Sequence, residues 1–169
     1  MIAEYITPFI DSTRSVLDTM LQMKTEFGKP EMRASIPSAN HDVSGIISMS
    51  GDVIGSVVLG FPMDSAVKMV AKFVGMEMAP DSEDFSDAIG ELVNMISGGA
   101  KAKFEGKSVS IGCPSIVIGS GHIVQSPKDS MCIAIPFSCE SGRFEVEVSI
   151  KRSCLPASSD TATSAVASS

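Results

Sequence analysis

Three polar side chains share one stripe of a predicted helix: Asp87, Glu91 and Asn94, in the run Asp84-Phe-Ser-Asp-Ala-Ile-Gly-Glu-Leu-Val-Asn-Met-Ile-Ser-Gly-Gly99. The spacing is i, i+4, i+7, and at about 100° per residue the three fall within roughly 60° of one another. A carboxamide both donates and accepts hydrogen bonds, so it can orient a water. With the two carboxylates beside it, the stripe is either ordinary solvated surface or an active site. Acidic residues near a helix N-terminus are favoured by the dipole and are ordinarily solvated surface. Two details set this stripe apart. Asn94 sits mid-helix, where Asn costs about 0.5 kcal/mol relative to Ala. Gly98 and Gly99 follow one turn later, where missing side chains let another backbone approach.

The elements that must position the stripe are legible around it. Phe85, Ile89, Leu92, Val93 and Ile96 cluster on the opposite side of the same helix, which Asp81 or Ser82 caps and which ends near Phe104-Glu-Gly106. A first helix is expected from Thr7-Pro8, with Phe9, Ile10, Thr13, Val16, Leu17, Met20 and Leu21 in helical phase and Gly28 and Pro30 as its stop. A strand over Met32–Ile36 follows, then a hairpin of Val43–Met49 and Val53–Phe61 about Ser50-Gly51-Asp52. A short helix runs from its cap Asp64 to Val74, with Gly75 past its end. The remainder reads as strands: Ser108–Ile111, Ser115–Ile118, His122–Gln125, Met131–Phe137 and Arg143–Lys151. The last alternates strictly, Phe144, Val146, Val148 and Ile150 against Arg143, Glu145, Glu147 and Lys151, as a half-buried antiparallel strand does. Residues 153–169 are small, polar and patternless, which predicts a disordered tail after a single domain over 1–152. The fold class is therefore α+β, an antiparallel sheet with packed helices.

The chain also reads as duplicated. Phe27-Gly-Lys and Ile36-Pro37-Ser38 return as Phe104-Glu-Gly-Lys and Cys113-Pro114-Ser115, 77 residues later (27 to 104, 36 to 113). The helices before them match in apolar phase, Thr13, Val16, Leu17 and Met20 against Ile89, Leu92, Val93 and Ile96. Each half is α-β-β-β. The stripe positions Asp87, Glu91 and Asn94 fall opposite Asp11, Ser15 and Asp18, so the first half lacks both the Glu and the Asn.

Composition removes other functions. At 169 residues and 44% hydrophobic the chain is long enough for one real core. A net charge of −7 disfavours nucleic acid and anionic membranes. The start has no basic n-region with a continuous apolar h-region, no apolar run approaches the roughly 20 residues of a membrane span, and the expected location is cytoplasmic. Four cysteines, Cys113, Cys132, Cys139 and Cys154, show no CxxC pair or companion histidine spacing. With His41 and His122 as the two histidines, the expectation is reduced, mostly buried thiols and no zinc site. Gly119-Ser-Gly121-His122 reads as a turn between strands, and Ser97-Gly-Gly-Ala-Lys101 lacks Walker spacing. The eleven methionines read mainly as core filling, Met20 and Met69 among them, with Met76 and Met78 as the exception beside the stripe helix.

Asp87-x3-Glu91-x2-Asn94 followed by Pro114 resembles the signature of the CheC/CheX/FliY phosphatases of bacterial chemotaxis. The flanking words Ala88-Ile-Gly-Glu-Leu-Val-Asn-Met95 and Cys113-Pro-Ser-Ile-Val117 look most like the CheX branch. The resemblance covers about residues 5–152; the interval from Asn94 to Pro114 is a few residues shorter than the usual family pattern. It implies a phosphatase that hydrolyses the phosphoaspartate of a CheY-type response regulator. Asn94 would orient the attacking water, Glu91 would pair with the partner's lysine, and Asp87, Gly98 and Pro114 would contact the partner. The phosphorylated partner would bring the Mg²⁺, so no cofactor of its own is implied, and one site per chain follows from the single complete stripe. A homodimer is also implied, with an edge such as Val146–Ile150 available to template it. The rival reading is a receiver-docking module or flagellar-switch component that does not hydrolyse. A small-ligand-binding domain has no polar constellation elsewhere to support it.

Overall fold

The structure is a computed structural model that describes residues 2–33 and 40–156. Helix α1 (Ala3–Leu21) begins a turn before Thr7-Pro8 because tertiary contacts extend it: Tyr5 and Ile6 are buried, and the Tyr5 hydroxyl donates to the Cys154 carbonyl at 3.1 Å. Pro8 is thereby inside the helix rather than at its start. The helix ends at Leu21, not at Gly28, because Gln22 turns left-handed with φ 54°. Met20 is exposed, so its place in the apolar repeat does not make it core; Met69 is buried as expected, and Met76 is exposed.

Among the described residues eight strands form one antiparallel sheet: β1 (Glu26–Phe27), β2 (Glu31–Arg33), β3 (His41–Gly51), β4 (Gly55–Phe61), β5 (Val109–Ile111), β6 (Ser115–His122), β7 (Ser130–Cys139) and β8 (Gly142–Lys151). The two hairpins β3–β4 and β7–β8 lie side by side through β4 and β8, with Val57 opposite Val148. The short strands of each half extend the other half's hairpin: β1 and β2 pair with β7, while β5 and β6 pair with β3. Helices α1, α2 (Met63–Val74) and α3 (Glu83–Lys101) share one core with the inward-facing side chains of β3, β4, β7 and β8, such as Val43, Leu59, Ile135 and Val146.

The sheet corrects several expectations. Val146–Ile150 is not an edge, because β8 has β4 on one side and β7 on the other. Strict alternation reports one apolar face, not the number of neighbouring strands. The polar face of β8 is not solvated either: Glu147 and Ser149 are buried there. Strand β6 absorbs the expected turn at Gly119–His122 and ends at His122, so the separate strand expected over His122–Gln125 does not form. The carboxylate of Asp42 on β3 accepts the Gly121 N–H at 3.0 Å and holds that end in place. The other oxygen of Asp42 accepts the Met63 N–H at 2.9 Å. Thus a side chain from β3, not Asp64, satisfies the start of α2. The Phe27 and Phe104 words are not equivalent, since Phe27 is an exposed strand residue and Phe104 is buried after α3. Arg152–Cys154 form a 3₁₀ turn, and Cys154 and Leu155 pack on the core, so the ordered chain extends past Arg152. Ile36-Pro37-Ser38, the end of the Met32–Ile36 strand and the tail from residue 157 lie outside the described residues.

Candidate active site

The helix that carries the stripe is fixed on three sides. Ser82 caps it, its Oγ accepting the Phe85 N–H at 3.2 Å. Phe85, Ile89, Leu92, Val93 and Ile96 are all buried, each contributing about 1.5–3 kcal/mol of apolar burial. The helix sits low on β3 because Gly45 lies beneath it: a Cβ there would come within 3.1 Å of Val93 and 3.2 Å of Ile89. Helix α1 crosses at Gly99, which leaves room for Ser12, and the Ser12 hydroxyl donates to the Ile96 carbonyl at 2.6 Å.

The stripe then faces outward from a rigid support. Asp87 and Glu91 are exposed and Asn94 is half-buried, and all three line one open groove of about 440 Å³. The facing wall is Gly112, Cys113, Pro114 and Ile116, from the β5–β6 connection and the start of β6. The Gly112 N–H donates to the Ser48 carbonyl at 2.9 Å and ties that wall to β3. Pro114 seats on α3 at Gly90, where a Cβ would lie 3.3 Å from the Pro114 Cγ. The shorter interval after Asn94 therefore still delivers Pro114 to the stripe.

None of the three stripe side chains hydrogen-bonds or ion-pairs with another described residue. Local helix energetics run against them. Asp87 and Glu91 are like charges at i, i+4, unfavourable by about 0.2–0.5 kcal/mol, and Gly90 is about 1 kcal/mol worse than Ala. Uncompensated local choices gathered at one place are what a functional or strained site is expected to show. Gly98 stands apart. It lies on the stripe's C-terminal extension, but a Cβ there would have only Ile111 Cδ1 near it, at 4.0 Å, and the residue does not line the groove. On α1, Ser15 and Asp18 are exposed without a comparable constellation. Cys113 is an exposed free thiol in the groove wall, against the expectation of mostly buried cysteines; Cys132 is buried, and Cys139 and Cys154 are half-buried.

Two further polar clusters were not legible in the sequence. His122 donates from Nδ1 to the Gly119 carbonyl at 2.7 Å, and its Nε2 hydrogen-bonds the Ser44 hydroxyl, also at 2.7 Å. This is a serine–histidine pair in contact only, since Ser44 is 0% exposed and out of reach of any substrate. On the sheet face away from the helices, His41, Glu145 and Glu147 converge, with Arg33 bound to Glu145 at 2.8 Å. Burial and the neighbouring Glu147 push the Glu145 carboxyl up to about 7, against the opposing pull of Arg33 and His41. These four residues come from β2, β3 and β8, and no spacing along the chain announces their meeting.

The family model described as chemotaxis phosphatase CheX matches residues 43–138, which carry most of β3, all of β4, α2 and α3, and both walls of the groove. The chain belongs to the CheX family. Among curated relatives, the CheY-P phosphatase CheX of Thermotoga maritima is 30% identical over 155 residues, covering 89% of this chain and 98% of that protein. Among solved structures, the CheX of Desulfovibrio desulfuricans is 32% identical with a TM-score of 0.78, over 88% of this chain and 99% of that one. The CheX in a CheX–CheY–BeF₃–Mg²⁺ complex from Borrelia burgdorferi is 28% identical with a TM-score of 0.71, over 88% of this chain and 98% of that one. The CheX family assignment agrees with the α+β sheet, its three helices and the groove signature on α3.

Proposed function

We propose that this chain hydrolyses the phosphoaspartate of a CheY-type receiver domain that docks in the α3 groove. The observation that carries the reading is the pairing of an uncommitted carboxylate and an uncommitted carboxamide, Glu91 and Asn94, one turn apart on a buttressed helix. Phosphoryl transfer needs an in-line water and neutralised equatorial oxygens, with little covalent chemistry from the protein. The receiver brings the phosphoacyl group, a lysine and Mg²⁺. The relative solved with CheY, BeF₃ and Mg²⁺ supports a Mg²⁺ that comes with the receiver. Asn94 supplies what is missing by holding a water on the axis of attack, as a glutamine does in GTPases. Glu91 pairs with the receiver's lysine and sets Asn94 in register. Asp87 is an outer docking contact, Pro114 shapes the opposite wall, and Gly98 keeps the helix extension clear for the partner's backbone.

The same reading puts the chain in the cytoplasm, where the free cysteines fit a reducing compartment. Among the described residues no helix is long and apolar enough to cross a membrane. It makes the fold two duplicated α-β-β-β halves, as the reciprocal pairing of their short strands suggests, with one functional site. It also makes the molecule a homodimer. The edge that serves is β6, where Val117 and Ile118 are exposed along an eight-residue strand, in place of the central β8.

The test is phosphate release from a phosphorylated CheY-type receiver under single-turnover conditions. Release accelerated well above the receiver's own rate supports the assignment. Saturable binding with an unchanged rate would instead establish the non-catalytic docking module.

A further inference from the structure

The cluster of His41, Glu145 and Glu147 lies on the opposite face of the sheet from the groove, because side chains alternate along β8 and its Val146 and Val148 point into the helical core. The cluster has the build of a ligand set. His41 Nε2 lies 3.4 Å from Glu147 Oε1 and 3.7 Å from Glu145 Oε1, and the ligand atoms of all three residues lie within 4.8 Å of one another. Donors about 2.1 Å from one tetrahedral ion stand roughly 3.4 Å apart, so the two separations from His41, of which the 3.4 Å one is also a hydrogen bond to Glu147, are close to those of a shared coordination sphere.

Each ligand is held by something else. A Cβ on Gly60 would collide with the His41 ring, so the ring lies flat on β4 and presents Nε2 to β8. Arg33 engages Glu145 through Oε2 at 2.8 Å and leaves Oε1, a buried atom, without a hydrogen-bond partner. A hydrogen bond to one oxygen of a ligating carboxylate fixes the direction in which the other points. The His41 and Glu147 side chains are 5% and 3% exposed, while Glu145 at 15% gives the route to solvent. Two carboxylates crowd together inside the protein against one guanidinium and one imidazole, a set of donors that a proton or a bound cation must bridge.

We propose that His41, Glu145 and Glu147 bind one divalent transition-metal ion that ties β3 to β8. Imidazole and carboxylate donors suit zinc, manganese, iron or cobalt. Water completes the sphere from the Glu145 side. The ion takes no part in the groove chemistry, and nothing in the spacing of His41 and His122 along the chain would have disclosed it.

The test uses the full chain, stripped with chelator and titrated with Co²⁺. Nitrogen and oxygen ligation gives weak visible d–d bands, whereas thiolate ligation adds an intense near-ultraviolet charge-transfer band that would report the cysteines instead. The expected result is one equivalent bound, no charge-transfer band, and a melting temperature that rises with Zn²⁺. Glu147→Gln removes a ligand carboxylate and should weaken binding by at least about 10-fold, the lower end of what loss of an outer-shell partner costs. Glu145→Gln, at the solvent side, serves if the buried variant does not fold. Asn94→Ala should bind Co²⁺ as the native chain does. The proposal is overturned by no saturable binding, by a charge-transfer band, or by unchanged affinity in the folded carboxamide variant.

Discussion

Gly90 and Gly98 are two glycines on one face of α3, alike in helix propensity and unlike in surroundings, and their alanine variants separate stability from function. Replacing either by Ala gains about 1 kcal/mol of helix propensity. At Gly98 the new methyl meets only Ile111 Cδ1 at 4.0 Å, so the gain is realised in full. At Gly90 the methyl stands 3.3 Å from Pro114 Cγ and 3.6 Å from Ile116 Cδ1, so the facing wall must retreat by a few tenths of an ångström. Overpacking of that kind offsets part or all of the propensity gain. Gly98→Ala should therefore raise the melting temperature by about 2–4 °C, and Gly90→Ala by less. Hydrolysis should respond in its own way. A displacement of about 1 Å can cost about 10²-fold in rate, so a shift of a few tenths should lower kcat/KM for the phosphorylated receiver severalfold in Gly90→Ala, although the protein is no less stable. Calorimetry and phosphate release on the same preparations make the comparison. Equal gains in melting temperature with unchanged hydrolysis in Gly90→Ala would refute the role given to the Gly90–Pro114 contact.

Other outcomes follow from the same geometry. Glu91→Gln should lower kcat/KM by roughly 30-fold or more, the scale of a truncated interfacial charge pair at about 2–5 kcal/mol; a loss under about threefold, by the same phosphate-release assay, would exclude a lysine partner for Glu91. Val117→Lys on the β6 edge should shift sedimentation from dimer to monomer without changing the far-ultraviolet circular dichroism. Asp42 accepts backbone N–H groups from Met63 and Gly121, which hold its carboxyl below the ordinary carboxylate value of 3.8. A lowered carboxyl contributes stability above its unfolded pKa and loses it as pH falls through the lower folded value. Asp42→Asn should accordingly flatten the acid limb of the stability profile below about pH 4, as read by denaturant melts across pH.

The stripe was legible in the sequence because a helix converts spacing into a face. Asp87, Glu91 and Asn94 needed only the 3.6-residue repeat to be brought together, and the buried residues behind them needed the same rule. Pro114 was placed by resemblance, and its seat on Gly90 depends on a tertiary contact that no local pattern encodes. What failed to read were properties of neighbours. The alternation of β8 revealed its apolar face, but not that β4 and β7 flank it, so an interior strand passed for an edge. Gln22 in a left-handed conformation ended α1 well before Gly28, the stop that composition favoured. Asp42 replaced Asp64 as the group at the start of α2 because a strand residue distant in sequence lies closer to the exposed N–H. The His41–Glu145–Glu147 cluster is the extreme case, in which the sheet order alone makes the meeting.

The central claim is that Asn94 positions the attacking water in a docked complex. Asn94→Ala should bind the phosphorylated receiver with near-native affinity and lose about 10²-fold or more in the single-turnover rate of phosphate release, a loss of at least about 2.7 kcal/mol of transition-state stabilisation. A variant that binds equally well and releases phosphate at the native rate would contradict it.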